Sequence, residues 1–432
     1  MNTPSKKIHL LSVNMGYGHQ RTAFALKNLA KNGEIINAND YDDMPAKDRN
    51  VWESSRKFYE FISRFKRFPL LGNAAFAIFD EFQKILEFYP KRNLSKPSFT
   101  LKKTYDIIKK GWGDDLIKKL KKDSIPIIST FFIPAFMADF FNYPKNIYCV
   151  VCDADVSRSW APINTGESRI KYFAPNKRVV ERLELYGIKK ENIFLTGYPL
   201  PLSNIGKNKK ILKDDLKYRI LNLDPKKKYI KKYKPLIEKY LGYLPEKSDH
   251  PLTVFFSVGG AGAQKEIAFN IVKGLKEKAA AGKVKIILSA GIRENVRDYF
   301  FANMEKHKLD NLLQNKTVEI IFEKNIEDYF NTFNAALRKT DILWTKPSEL
   351  SFYTALGLPI IIAPTIGSQE TFNRDWLLNL GSGIMQKNPL YADQWLFDLL
   401  DEGKLAEAAM QGFIKAISRG ALNIEKIIAK YE

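Results

Sequence analysis

The chain has 432 residues and 45% hydrophobic content, which exceeds one compact core and predicts two domains. Its net charge of +21, from 69 Lys/Arg against 48 Asp/Glu, points to an anionic partner: a phosphorylated substrate, an acidic membrane surface or nucleic acid. No apolar run approaches the roughly 18 residues that span a bilayer, and the start MNTPSKKIHLLSV has no signal-peptide h-region, so a cytoplasmic protein is expected.

Taken in order, Ile8–Val13 predicts a short strand, Asn14 to His19 a glycine turn, and Gln20–Leu29 a helix. This unit opens a nucleotide-binding-type α/β domain. Gly16 and Gly18 let backbone approach a ligand, and His19 at the helix start is a candidate functional imidazole. Its alternative is a loop or capping role. Gly33–Asn39 predicts the second strand. From Val51 to Lys122 aromatic and basic residues interleave, with 17 Lys/Arg against 9 Asp/Glu between Val51 and Ile125. That pattern reads as a membrane-surface element, with an amphipathic hairpin packing its aromatics in the core, or base stacking, as alternatives.

Ile125–Thr130 and Asn146–Cys152 predict further strands. The two cysteines, Cys149 and Cys152, lie three apart on the second of these and so face opposite ways, as inert core thiols rather than a redox pair. Asp153-Ala154-Asp155 follows; two carboxylates are a weak metal signal, but Asp153 stands at a strand's carboxyl end, where clefts form. A strand over Arg169–Pro175, a helix over Lys177–Tyr186 and a strand over Ile193–Thr196 complete the first domain, 1–200. Pro199 and Pro201 mark its boundary. The lysine-rich 201–250 is expected to be a partly helical, solvated linker.

The second domain, 251–410, begins with a strand over Leu252–Ser257. The turn Gly259-Gly260-Ala261-Gly262-Ala263-Gln264 precedes a helix from Lys265. Small residues there expose N–H groups to an anion, and the helix N-terminus adds about half a positive charge. Gly259, Gly260, Gly262, Ala263 and Gln264 are therefore diphosphate candidates; no Gly-Lys-Ser/Thr makes the turn a P-loop. Strands over Val284–Ser289, Thr317–Phe322 and Ile342–Trp344 follow. Asp341–Gly383 then reads as β–loop–α–β–loop–α, with a helix over Leu350–Leu356, and both loops fall beyond carboxyl ends of strands. Trp395–Tyr431 predicts helix, 411–432 forming a C-terminal one. HExxH, GxSxG, zinc-finger and EF-hand patterns are absent from the sequence, so no metal is expected.

Several blocks, in order, resemble glycosyltransferase family 28 and the related monogalactosyldiacylglycerol synthases. Gly16-Tyr17-Gly18-His19 resembles a GGGH-type loop. Val151 to Trp160 is similar to a "TD…H..W" block, and YGIKKENIFLTGYP to "GI…KI.VTG.P". FSVGGAGAQ resembles the second glycine loop, VEIIFEKNIEDYF the base-reading strand and loop, and TKPSELSFYTALGLP…GSQETFN the donor segment. The resemblance implies a GT-B architecture: two Rossmann-like domains facing across a cleft. It implies sugar transfer from a nucleoside-diphosphate sugar, UDP-linked, to a lipid or membrane-associated acceptor. His19 would be the base and Asp153 the competing carboxylate. Ser348, Glu349, Gln369, Glu370 and Asn373 would meet ribose and sugar, and Phe322 and Asn325 would face the nucleobase through main-chain groups. The donor is a substrate, and no cofactor or metal is implied. An anionic membrane surface on the inner face of the plasma membrane is the expected partner, and nucleic acid is not. Departures are Ser348 for a glycine, a Lys346–Gly357 segment two residues short, Arg158 for a histidine, and Phe131-Phe132 for His-Pro. The rivals are a nucleotide-sugar 2-epimerase of the same fold and a non-catalytic sugar-nucleotide or membrane-surface binding protein.

Overall fold

The computed structural model describes residues 7–54, 85–259, 262, 264–365 and 367–432. The chain forms two compact units: Met1–Pro199 with Ile366–Asn373 and Arg419–Glu432, and Leu200–Thr365 with Arg374–Ser418. Each is built on a six-stranded parallel sheet, so both are doubly wound α/β folds, as the strand–turn–helix pattern predicts.

In the first unit the strands are β1 (Ile8–Ser12), β2 (Ala30–Asn37), β3 (Ile127–Ser129), β4 (Ile147–Val150), β5 (Ile170–Ala174) and β6 (Ile193–Leu195). Their order is β2-β1-β3-β4-β5-β6. β1, β3 and β4 are buried along their whole length, which explains their unbroken apolar sequences. The chain runs outward from β1 to β2 and then returns to β3 on the other side of β1. That reversal opens a crevice beyond the carboxyl ends of β1 and β3.

Two boundaries differ from expectation. The first helix is Tyr17–Phe24, and a short 3₁₀ turn, Lys27–Leu29, brings the chain into β2 at Ala30 rather than Gly33. Asn32 and Gly33 take positive φ inside β2, and the register against β1 shifts there, which hides the strand's start from an alternation argument.

The basic aromatic stretch 51–122 lies partly outside the described residues. Of the rest, 46–54 is helical, and Phe99–Lys109 and Asp114–Lys121 are helices. Several of its aromatics are core: Trp52 packs on Trp112 with ring centroids 4.8 Å apart, and Phe88 lies under the Arg178 guanidinium at 3.8 Å. Others are exposed, Tyr89 and Phe99 by about two-thirds.

The second unit has β7 (Leu252–Ser257), β8 (Val284–Gly291), β9 (Val318–Phe322), β10 (Ile342–Thr345), β11 (Ile360–Ile362) and β12 (Gly383–Met385), in the order β12-β11-β10-β7-β8-β9. Here the reversal falls between β7 and β10. Three differences from expectation stand out. First, the lysine-rich 201–250 belongs to this unit instead of linking two, and its expected helices are Lys210–Leu223, Lys228–Lys232 and Lys234–Leu241. Its lysines mask an apolar stripe, Leu212, Leu216, Ile220 and Leu223, all buried. Arg219, also buried, donates to the carbonyls of Thr340, Leu337 and Leu356. Second, Glu349–Leu356 is a 3₁₀ helix, buried along its length. Third, the C-terminal stretch is three helices: Ala392–Asp401, Lys404–Lys415 and Gly420–Tyr431. Gly403 in a left-handed conformation separates the first two.

Candidate functional site

At the first unit's reversal, His19 lies in the first turn of the helix after β1. Its Nδ1 is 2.7 Å from the carbonyl oxygen of Thr130, the residue after β3. A carbonyl only accepts, so Nδ1 carries the proton, and in the neutral ring the basic lone pair sits on Nε2. Phe131 packs edge-on against the imidazole at 4.8 Å, and Trp160 lies 6.3 Å away. The Phe131-Phe132 departure thus supplies one wall of the histidine's surroundings. Gly16, with φ +111°, caps the helix, and a Cβ there would meet nothing within 4 Å. The turn is open where a ligand would approach.

Cys152 is the neighbour that sequence reasoning missed. It is a free, buried thiol, as expected of a core cysteine, and its sulfur is 3.4 Å from His19 Nδ1. Cys149 is likewise fully buried, and burial pushes its thiol far above the ordinary range. The missed signal is topological, since β1, β3 and β4 are neighbours and all end at this edge.

The two aspartates after β4 have different lots. Asp155 is buried and holds Arg182 through two 2.9 Å bonds, Nε to Oδ1 and Nη2 to Oδ2. Burial works against the Arg182 charge, yet the Asp155 pairing outweighs it and holds the guanidinium pKa above its ordinary value. Asp153 is half-buried and accepts from Asn373 Nδ2 at 3.0 Å, while Asn373 Oδ1 accepts from Ala154 N at 2.7 Å. Asn373, expected among the sugar-binding groups, has its amide engaged in holding this loop. Arg158 is also structural: buried, it donates to the carbonyls of Ser95, Ala161 and Pro162. Gln369 and Glu370 lie half-buried in the first turn of helix Ser368–Leu380.

At the second unit's reversal the chemistry is main-chain and cationic. Gly262 N donates to Gly259 O at 2.7 Å, closing a tight turn between β7 and helix Lys265–Ala280. Gly260 and Ala263 lie outside the described residues. Lys346, the residue after β10, crosses this turn: a Cβ on Gly259 would stand 2.5 Å from Lys346 Cε. A Cβ on Gly262 would stand 2.9 Å from Val296 and 3.4 Å from Arg293 Cδ. Two cations therefore border the glycine turn, neither of them singled out from the sequence. Gln264 donates to the Pro364 carbonyl at 2.6 Å, so its side chain braces the turn against the loop after β11.

The remaining expected residues are spread along this edge. Ser348 and Glu349 open the 3₁₀ helix, Glu349 buried to 9% exposure. Phe322 ends β9 with the Arg297 guanidinium 4.5 Å over its ring. Asn325 caps helix Ile326–Leu337 by accepting from Asp328 N at 2.9 Å. Its side chain is thus structural, and only its main chain could meet a base. Among the described residues no group of three or more His, Cys, Asp or Glu could hold a metal ion.

A family model described as a domain of unknown function (DUF6938) matches residues 245–421. No curated protein matches. Among solved structures, the chain is similar to S. aureus MnaA in complex with UDP, with 14% identity over 98% of this chain and 95% of that one and a TM-score of 0.47. It is similar to the glycosyltransferase SnogD from Streptomyces nogalater, with 12% identity, coverages of 99% and 100%, and a TM-score of 0.46. It is also similar to Acinetobacter baumannii MurG, with 15% identity, coverages of 77% and 78%, and a TM-score of 0.45. At these identities and scores the likenesses assign neither a reaction nor a site.

Proposed function

We propose that this chain is a glycosyltransferase that moves a sugar from a nucleoside-diphosphate sugar, UDP-linked, to a lipid or membrane-associated acceptor. The observation that carries the reading is the His19 Nδ1 to Thr130 carbonyl hydrogen bond, which leaves the basic lone pair on Nε2. A fixed tautomer is what a general base needs, and general bases contribute about 10²–10⁴-fold. In the proposed reaction Nε2 takes the acceptor hydroxyl proton as that oxygen bonds the anomeric carbon. The bond from that carbon to the diphosphate oxygen breaks, and the diphosphate leaves with its electron pair. Asp153 is the competing base.

The leaving charge would be met by the N–H groups of the Gly259–Gln264 turn, the following helix N-terminus and Lys346. Ser348, Glu349, Gln369 and Glu370 are the candidates for donor hydroxyls, and the Phe322–Asn325 main chain for the base. A membrane-associated acceptor is favoured by the exposed Tyr89, Phe99 and Ile107 among the lysines of the basic stretch. On this reading the protein works as a peripheral one at the cytoplasmic face of an anionic membrane.

The test is incubation with a panel of UDP-sugars and diacylglycerol-containing vesicles, following UDP release and glycolipid. UDP release coupled to glycolipid is the expected result. The His19→Ala variant should keep UDP affinity and lose about 10²–10⁴-fold in turnover. Full activity in that variant would remove His19 from the role. A changed sugar without UDP release would instead mark an epimerase, and UDP binding without turnover a binding protein.

A further inference from the structure

The second unit carries a lysine-dense surface that the proposed reaction does not use. Lys227, Lys228, Lys231, Lys232 and Lys239 are exposed on and beside the helices Lys228–Lys232 and Lys234–Leu241. The flanking Lys226 and Lys234 have carboxylate partners, Asp401 and Glu238. Among the described residues the other five have none. The backbone beneath them is firmly built. The buried Asp224 carboxylate accepts from Lys228 N at 2.9 Å and Ile230 N at 2.7 Å. Tyr229, Ile237 and Leu241 are buried, and Tyr240 packs edge-on against Phe413 at 6.1 Å. Beyond the second helix, Tyr243 is 87% exposed.

We propose that this lysine hairpin is a docking surface for an anionic lipid bilayer, independent of the transferase reading. Cations without carboxylate partners on a fixed backbone meet a diffuse negative surface with little ordering cost, and an exposed tyrosine suits the headgroup region. Nucleic acid is the poorer fit. From Pro225 to Tyr243 the segment contains no arginine, whose forked guanidinium serves phosphate and base recognition better than a lysine ammonium does.

The full chain is sedimented with phosphatidylcholine vesicles, with and without phosphatidylglycerol. Binding to the phosphatidylglycerol vesicles alone is expected, weakening as salt rises. Replacing Lys227, Lys228, Lys231 and Lys232 by Ala should lower that binding by about 100-fold or more, since each cation near the surface contributes. The same four positions as Arg should retain it, which separates lost charge from damaged fold. A control set of equal charge, Lys276, Lys283, Lys306 and Lys316 to Ala, should lose far less. Equal losses in both Ala sets, or no vesicle binding at all, would overturn the proposal. So would salt-sensitive binding of duplex DNA that the hairpin variant abolishes while vesicle binding persists.

Discussion

The two units reverse their strand order in the same way and put different chemistry at the reversal. Beyond β1 and β3 stand proton-handling side chains, His19 with Cys152 beside it and Asp153 close in sequence. Beyond β7 and β10 stand main-chain groups of a glycine turn, bordered by Lys346 and Arg293. Topology places both crevices, and the residues decide their use. On the proposed reading one edge would move a proton and the other would hold an anion. A transferase needs both, and neither edge alone would identify one.

The largest effect should come from the aspartate that is not in the site. Asp155→Ala leaves Arg182 buried without its partner, and breaking such a pair costs about 3–5 kcal/mol. Urea denaturation should show that loss. Asp153→Ala, two residues away, removes one half-buried hydrogen bond with Asn373 and should cost only about 1 kcal/mol of stability while lowering turnover. If both variants unfold alike, the distinction between a structural and a chemical carboxylate fails.

The second edge is broken more gently. Lys346→Ala should weaken UDP affinity by about tenfold, or about 1.4 kcal/mol, read by calorimetric titration. Lys346 is half-buried against Gly259, so a loss of UDP affinity larger than the fall in melting temperature is the expected pattern. Gly259→Ala should act similarly, since the new methyl meets only the flexible end of Lys346. Gly412→Ala is the contrast: its methyl would stand 2.1 Å from Thr354 Oγ1 and 2.5 Å from the Thr354 carbonyl oxygen. That packing conflict should cost about 1–3 kcal/mol without changing UDP affinity in the folded fraction.

Much of this was legible from residue order, for a physical reason. Strands buried on both faces must be apolar throughout, so β1, β4, β7 and β10 announce themselves, and the glycines between strand and helix mark the turns at the two reversals. His19 was legible because it follows such a turn. Lys346 was legible only as part of a block. Its crossing over Gly259 depends on β7 and β10 being neighbours, which strand order alone settles. Cys152 and the Thr130 carbonyl were hidden for the same reason, and a main-chain carbonyl leaves no trace in a sequence. The linker reading of 201–250 failed because the lysines of that stretch outnumber the four buried apolar residues that pack Lys210–Leu223 into the second unit. Asn325 and Asn373 show a further limit: a sequence does not reveal that an amide is already engaged by its own backbone surroundings.

The smallest effect contrasts His19 with His250, which stands before β7 at the opposite end of the second sheet. His250 Nδ1 is 2.6 Å from Asp249 Oδ1, and Nε2 is 3.2 Å from Asp341 Oδ1. Asp341 is fully buried and also accepts from Thr253 N and Asn222 Nδ2, both within 3 Å. Lys339 pairs with Asp249. Burial lowers the His250 pKa, but the two carboxylates outweigh it and raise the net value above 6.5. A raised folded pKa means that the protonated ring stabilises the fold. That contribution is fully present below the unfolded value, about 6.5, and is lost as pH rises through the folded pKa. Urea midpoints of the native chain should therefore fall relative to those of His250→Gln as pH climbs from about 6 toward 8. A gap between the two proteins that does not change with pH would mean an unshifted His250, and one that widens upward a ring held neutral; either overturns the assignment. His19 has a carbonyl where His250 has carboxylates, and a carbonyl orients a ring without requiring it to be charged. The carbonyl at His19 fixes a tautomer, whereas the carboxylates at His250 favour the protonated ring.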